Sequence, residues 1–83
     1  MAGTAHTPAY KHLLSRLIEA RDAAGFSQAQ LAELLGKPAS FVGKYELGER
    51  RLDIIEFFVI LKALKADRPA LLAEINDNLP EHL

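Results

Sequence analysis

A chain of 83 residues with a formal net charge of -1 and no cysteine has material for one compact domain, and it excludes disulfides, thiol catalysis and cysteine-based zinc sites together. The charge at first opposes a polyanionic partner, but it is unevenly spread: residues 1–51 hold seven Lys or Arg against five Asp or Glu, and residues 52–83 three against six. No segment approaches the roughly 20 apolar residues of a membrane span and no basic stretch leads into an apolar run, so a cytoplasmic protein with no membrane contact is expected.

Residues 1–7 read as a flexible N-terminal arm, residues 8–79 as the folded domain and residues 80–83 as a tail. Thr7-Pro8 supplies a capping oxygen followed by a proline whose missing N–H costs nothing at a helix start. From there Tyr10, Leu13, Leu14, Leu17 and Ile18 recur at the helical period until Ala24-Gly25. Ser27 caps a second helix, with Gln30 placed to complete a capping box and Phe26 and Leu31 flanking the cap as a hydrophobic staple. Leu31, Leu34 and Leu35 are expected to form the buried edge of this helix, Ala29 and Ala32 to be small enough for another helix to come close, and Gly36 to end it in the left-handed conformation.

The third helix is expected from about Pro38 to before Gly48. At 100° per residue, Ala39, Val42, Tyr45 and Glu46 fall on one side, and Ser40, Gly43, Lys44 and Leu47 on the other, with Phe41 at the margin. Asp53 and Glu56 make a second capping box and Leu52 and Phe57 a second staple, opening a helix from about Ile54 to Lys65. That helix is apolar almost all round, which predicts burial on several sides. Asp67 and Pro69 open a fifth helix, whose Leu71, Leu72, Ile75 and Leu79 form one more stripe before Pro80. Five short helices without strand-like alternation predict a compact all-α fold.

Two short helices joined by a glycine turn, the second with a hydrogen-bonding and partly basic outer face, have the layout of a DNA-reading helix-turn-helix. The unpaired N–H groups at the start of the second helix suit a phosphate, so Ser27 and Gln28 are expected there, although a Gln in a first turn is often only solvated. Lys44 can donate to guanine O6 and N7, and Ser40 to a base edge or a phosphate. Gly43 offers either a close backbone approach or mere tolerance of a small residue. Phe41 suits either a sugar beside the phosphates or the core. Lys37, Arg50 and Arg51 flank the reading face and suit phosphates. Arg21, in the first helix's apolar stripe, and Glu46, on the inner side of the third, are costly to bury alone and should pair.

The stretch LIEARDAAGFSQAQLAELLG followed by KPASFVGKYELGERRLD resembles the Cro/XRE-type, lambda-repressor-like helix-turn-helix family, over about Leu14 to Ala66. The likeness lies in an Arg in helix 1, Ser-Gln opening helix 2, Leu-Ala in its middle, the turn Gly, and Tyr-Glu-x-Gly closing helix 3. It implies that the third helix enters the major groove and the second lies across it with its N-terminus toward a phosphate. It further implies that two subunits bind half-sites about one helical turn apart, and that Arg21 and Glu46 form a buried bridge. The chain departs from that pattern where Pro38 and Ala39 occupy positions often filled by capping or base-reading residues. Ala39 keeps its place on the base-reading face but cannot hydrogen bond, so readout is expected to lean on Lys44 and on DNA shape.

The resulting expectation is a homodimeric repressor of double-stranded DNA, dimerising through Val59, Leu71, Leu72, Ile75 and Leu79, without cofactor, metal or small-molecule substrate. His6, His12 and His82 are too scattered for a metal site, and no catalytic trio is assembled, so enzyme activity is not expected. Two other classes fit the residues. One is an antitoxin or antiactivator working through a partner protein and using DNA for autoregulation, which suits the acidic C-terminal part; the other is a helix-turn-helix kept purely as a protein-binding module.

Overall fold

Thr7 caps the first helix as its sequence suggests, its Oγ1 accepting from the Tyr10 N–H at 3.2 Å, in a computed structural model that describes residues 7–83. The expected arm otherwise lies outside the described residues. Helix α1 runs Pro8–Ala24, α2 Gln28–Leu35, α3 Ser40–Glu46, α4 Ile54–Leu64 and α5 Arg68–Asp77, with no strand among the described residues.

The local signals account for most of these ends. Both capping boxes form: Ser27 Oγ accepts from the Gln30 N–H while Gln30 Oε1 accepts from the Ser27 N–H, and Asp53 and Glu56 do the same for α4. Each contributes about 0.5–2 kcal/mol, judged by the usual cost of losing a cap. Gly36 closes α2 at φ 70°, a left-handed backbone that a side chain would strain. Helix α3 starts two residues later than expected, at Ser40, because Pro38 and Ala39 provide no capping side chain. Residues 80–83 have no regular structure.

The core is built from Leu14 and Leu17 of α1, Leu31 and Ala32 of α2, Phe41, Val42 and Tyr45 of α3, Phe57, Ile60, Leu61 and Leu64 of α4, and Leu71 of α5. Helix α2 packs on α3 and α4, while α1 reaches α3, α4 and α5. Polar ties supplement this packing. The Leu52 N–H donates to the Tyr10 hydroxyl at 3.1 Å, and His12 Nε2 and Arg16 Nε lie 2.6 and 3.1 Å from the same Glu74 oxygen, holding α5 to α1.

Several expectations about faces need correction. Leu34 is 58% exposed, and Ala32 takes its place inside, because α2 presents the arc of Leu31, Ala32 and half-buried Leu35 to the core. Helix α4 is not enclosed on several sides: Ile54, Ile55 and Val59 are 64, 68 and 47% exposed, since its neighbours cover only the Phe57, Ile60, Leu61 and Leu64 arc. Leu71, expected on a dimer surface, is a core residue, while Leu72 and Leu79 remain exposed and Ile75 is half-buried.

Tyr45 is fully enclosed, and its hydroxyl has no hydrogen-bond partner among the described residues. Burial of the phenol, its largest influence, holds it protonated well above the ordinary tyrosine range. An unsatisfied buried hydroxyl costs about 1–3 kcal/mol, whereas the ring contributes to packing and meets Phe41 edge-on at 5.6 Å. Tyr45→Phe should therefore melt at the same or a higher temperature than the parent; a clear drop would reveal a hydroxyl partner that this packing lacks.

Candidate nucleic-acid interface

The α2–Gly36–α3 unit brings two chemically distinct features to one side of the molecule. The first is the start of α2, where the capping box occupies the Ser27 and Gln30 N–H groups and helix geometry leaves those of Gln28 and Ala29 without intrahelical acceptors. The second is the outer face of α3. Ser40, Lys44 and Leu47 are exposed there, with Ala39 exposed just before them. Directly behind, Val42 and Tyr45 are 0% exposed and fasten the helix to the core.

Phe41 does not contact solvent as a phosphate-side residue would. It is only 7% exposed, because α3 turns Phe41, Val42 and Tyr45 together into the core. Its ring acts on the surface indirectly, with Lys37 Nζ 5.4 Å and Arg50 Cζ 4.8 Å from its centroid. Such cation–ring contacts contribute about 0.5–1 kcal/mol at exposed sites and hold both cations beside the N-terminal end of α3.

Arg50 is also forked onto Glu56, with nitrogen-to-oxygen distances of 2.9 and 2.8 Å. Its charge is thus partly neutralised within the protein. Arg51 and Lys37 are exposed, and Lys44 takes part in no ion pair among the described residues.

Glu56 gives this corner a measurable pH dependence. The Arg50 guanidinium first, and the Asp53 N–H second, lower its carboxyl from 4.5 to about 2. A folded-state value below the unfolded one means the stabilisation is whole above about pH 4.5 and disappears as the pH falls through about 2. Urea midpoints measured across that interval should fall for the parent and fall less for Glu56→Gln; parallel slopes would contradict the coupling.

Beneath the reading face, Arg21 and Glu46 form the expected bridge. Arg21 Nε lies 2.7 Å from Glu46 Oε2 and Nη2 3.3 Å from Oε1, and the two side chains are 12 and 5% exposed. Arg21 Nη1 also donates to the Phe26 carbonyl at 2.8 Å, so one guanidinium ties α1 to the entry of α2 and the exit of α3. The hydrogen bond to Glu46 is the main cause that raises the Arg21 pKa above its ordinary value.

Gln28 is placed otherwise than its sequence position suggests. Its Nε2 donates to Glu46 Oε1 at 2.8 Å, and a Cβ at residue 43 would stand 3.3 Å from its Oε1. The close approach at Gly43 is therefore made by the protein's own glutamine. The backbone N–H groups of Gln28 and Ala29 are left without intrahelical acceptors at this end. Leu47, 73% exposed, was not assigned a role by its sequence, although an apolar residue on the outer face of a recognition helix is itself a signal.

Comparison with known proteins agrees with this geometry. The helix-turn-helix family model matches residues 17–71, and a solved structure described as an XRE-family like protein from Pseudomonas syringae pv. tomato str. DC3000 superposes with a TM-score of 0.81. That protein is 47% identical, over 90% of this chain and 92% of its own. The chain belongs to the XRE-type helix-turn-helix family. No curated protein gives a significant match.

This XRE-type domain is thus a DNA-binding regulator with the five-helix fold of its family. Among the described residues of the XRE-type chain, no group of three or more His, Cys, Asp or Glu is arranged to hold a metal, and no helix is long and apolar enough to cross a membrane.

Proposed function

We propose that the chain is a homodimeric, sequence-specific repressor whose α3 enters the major groove of a palindromic operator. The observation that carries this reading is the two-sided character of α3: Ser40 and Lys44 stand exposed while Val42 and Tyr45 are sealed behind them. In this reading Lys44 donates to guanine and Ser40 to a base edge or phosphate, and Leu47 offers an apolar surface to a thymine methyl. Ala39 adds only van der Waals contact.

The backbone N–H groups beside Ser27 and Gln28, with Lys37 and Arg51, bind phosphates and set the register. The net charge of -1 keeps non-specific affinity low and makes these few cations decisive.

Dimerisation is supported by Val59, Leu72 and Leu79, 47, 40 and 57% exposed, together with Ile54 and Ile55 on α4. A domain of this size leaves much of its apolar surface uncovered, and pairing is a common way to cover it. A two-fold protein matches a two-fold operator with half-sites about 34–36 Å apart.

Two measurements test the proposal together. Selection from a random duplex pool at two salt concentrations should return an inverted repeat, and sedimentation at micromolar concentration should give twice the chain mass. A monomeric mass with half-site binding would remove the dimer. Absence of any enriched sequence at low salt would remove the DNA-reading assignment itself.

A further inference from the structure

We propose that Gln28, a residue of α2, reads a base directly: its Oε1 accepts a hydrogen bond from the major-groove amino group of adenine or cytosine. This inference rests on the DNA-binding reading of α3. The orientation of the Gln28 amide follows from its neighbour. Glu46 is an acceptor, 5% exposed and already gripped by Arg21, so the amide end turned toward its Oε1 at 2.8 Å must be the nitrogen. The other end of this exposed side chain is then the carbonyl oxygen, which lies beside Gly43 and accepts no hydrogen bond among the described residues.

Gly43 gives that oxygen its position. A Cβ there would stand 3.3 Å from Oε1 and 3.8 Å from the Gln28 carboxamide carbon, closer to the oxygen than side chains normally approach. Without it, the amide lies across the middle of α3, over the residue immediately before Lys44. Two α2–α3 features thus combine: a carboxylate that sets which way the amide faces, and a missing side chain that lets it lie on the reading helix.

The chemistry of the outward atom decides its ligand. A phosphate ester has no hydrogen to give a carbonyl oxygen, whereas adenine N6 and cytosine N4 are the donors exposed in the major groove. Lys44 donates and Gln28 Oε1 accepts, so the two residues read opposite halves of the base code. The second hydrogen on Nε2 remains available to a phosphate, and that arrangement is the rival outcome.

The test compares sequences selected by the parent, Gln28→Ala and Gly43→Ala from a random duplex pool, each protein first checked for helical content and melting. The parent should restrict one position to a base that offers an amino group. Gln28→Ala should lose roughly 5- to 150-fold of preference there and keep the remaining consensus. Gly43→Ala, which removes a flexible residue from a helix interior and places a methyl group 3.3 Å from Oε1, should stay folded and weaken the same position. It carries the test if Gln28→Ala melts early.

A uniform loss over all sequences in Gln28→Ala, with a salt slope lower by about one, would assign the side chain to phosphate and overturn the proposal. A consensus unchanged in both variants would overturn it as well. A parent that selects no sequence fails differently, removing the DNA-reading assignment from which the proposal starts.

Discussion

Arg21→Ala should destabilise the domain by about 3–5 kcal/mol. Domains of this size are stabilised by roughly 4–12 kcal/mol in total, so the variant should lose much of its margin and unfold far earlier in urea. The reason is the state of the partner left behind. Glu46 would keep its carboxylate at 5% exposure with only the Gln28 amide in contact, and the Phe26 carbonyl would lose its donor.

Glu46→Ala should cost less, because Arg21 retains the Phe26 carbonyl at 2.8 Å and has Asp22 at 3.5 Å. Arg21→Lys keeps the charge but not the fork, and should fall between parent and Ala. Replacing both residues by apolar ones of matching volume is a separate matter, since a buried pair often gives no net gain over good packing. A double variant as stable as the parent would show that the bridge orients α3 more than it stabilises the fold. An Arg21→Ala protein that melted with the parent would refute the buried-bridge account.

The same bridge illustrates what a sequence reader can see. Arg21 and Glu46 were legible because each is a charge lying within an otherwise apolar helical stripe, and such a residue needs a partner wherever the helices meet. The capping boxes at Ser27–Gln30 and Asp53–Glu56 were legible for a different reason: their partners lie three residues apart, so no tertiary information is required. Ser40 and Lys44 were correctly expected to be exposed because Val42 and Tyr45 define the opposite arc.

What escaped depends on how the helices cross. Leu34 and Phe41 sit at the margins of their stripes, and a rotation of one residue decides which margin meets a neighbour. Phe41 lies within about 40° of Tyr45 on the helix and turns inward with it, and α2 turns Ala32 rather than Leu34 inward, so that it lies close to its neighbours. The apolar run of α4 suggested complete burial, but in a domain this small only one arc can be covered. The approach of the Gln28 amide to Gly43 and the Arg50–Glu56 ion pair are set by the α2–α3 crossing and by the loop after α3. Neither spacing nor composition encodes them.

The DNA-reading face itself is most sharply tested by Lys44→Ala. Lys44 is exposed, in no ion pair among the described residues, and backed by side chains at 0% exposure, so its removal should leave the melting temperature nearly unchanged. Affinity for the preferred duplex should fall by roughly 5- to 150-fold, the value of about 1–3 kcal/mol per good base contact. The loss should concentrate at one base pair: competition with duplexes changed at each position should show guanine no longer preferred there and other preferences intact. Lys37→Ala supplies the contrast, weakening all duplexes alike and reducing the salt slope by about one, as a phosphate ligand does. If Lys44→Ala instead behaves like Lys37→Ala, the ammonium belongs to the backbone, and sequence would have to be read by Ser40, Leu47 and the Gln28 carbonyl, with DNA shape supplying the remainder.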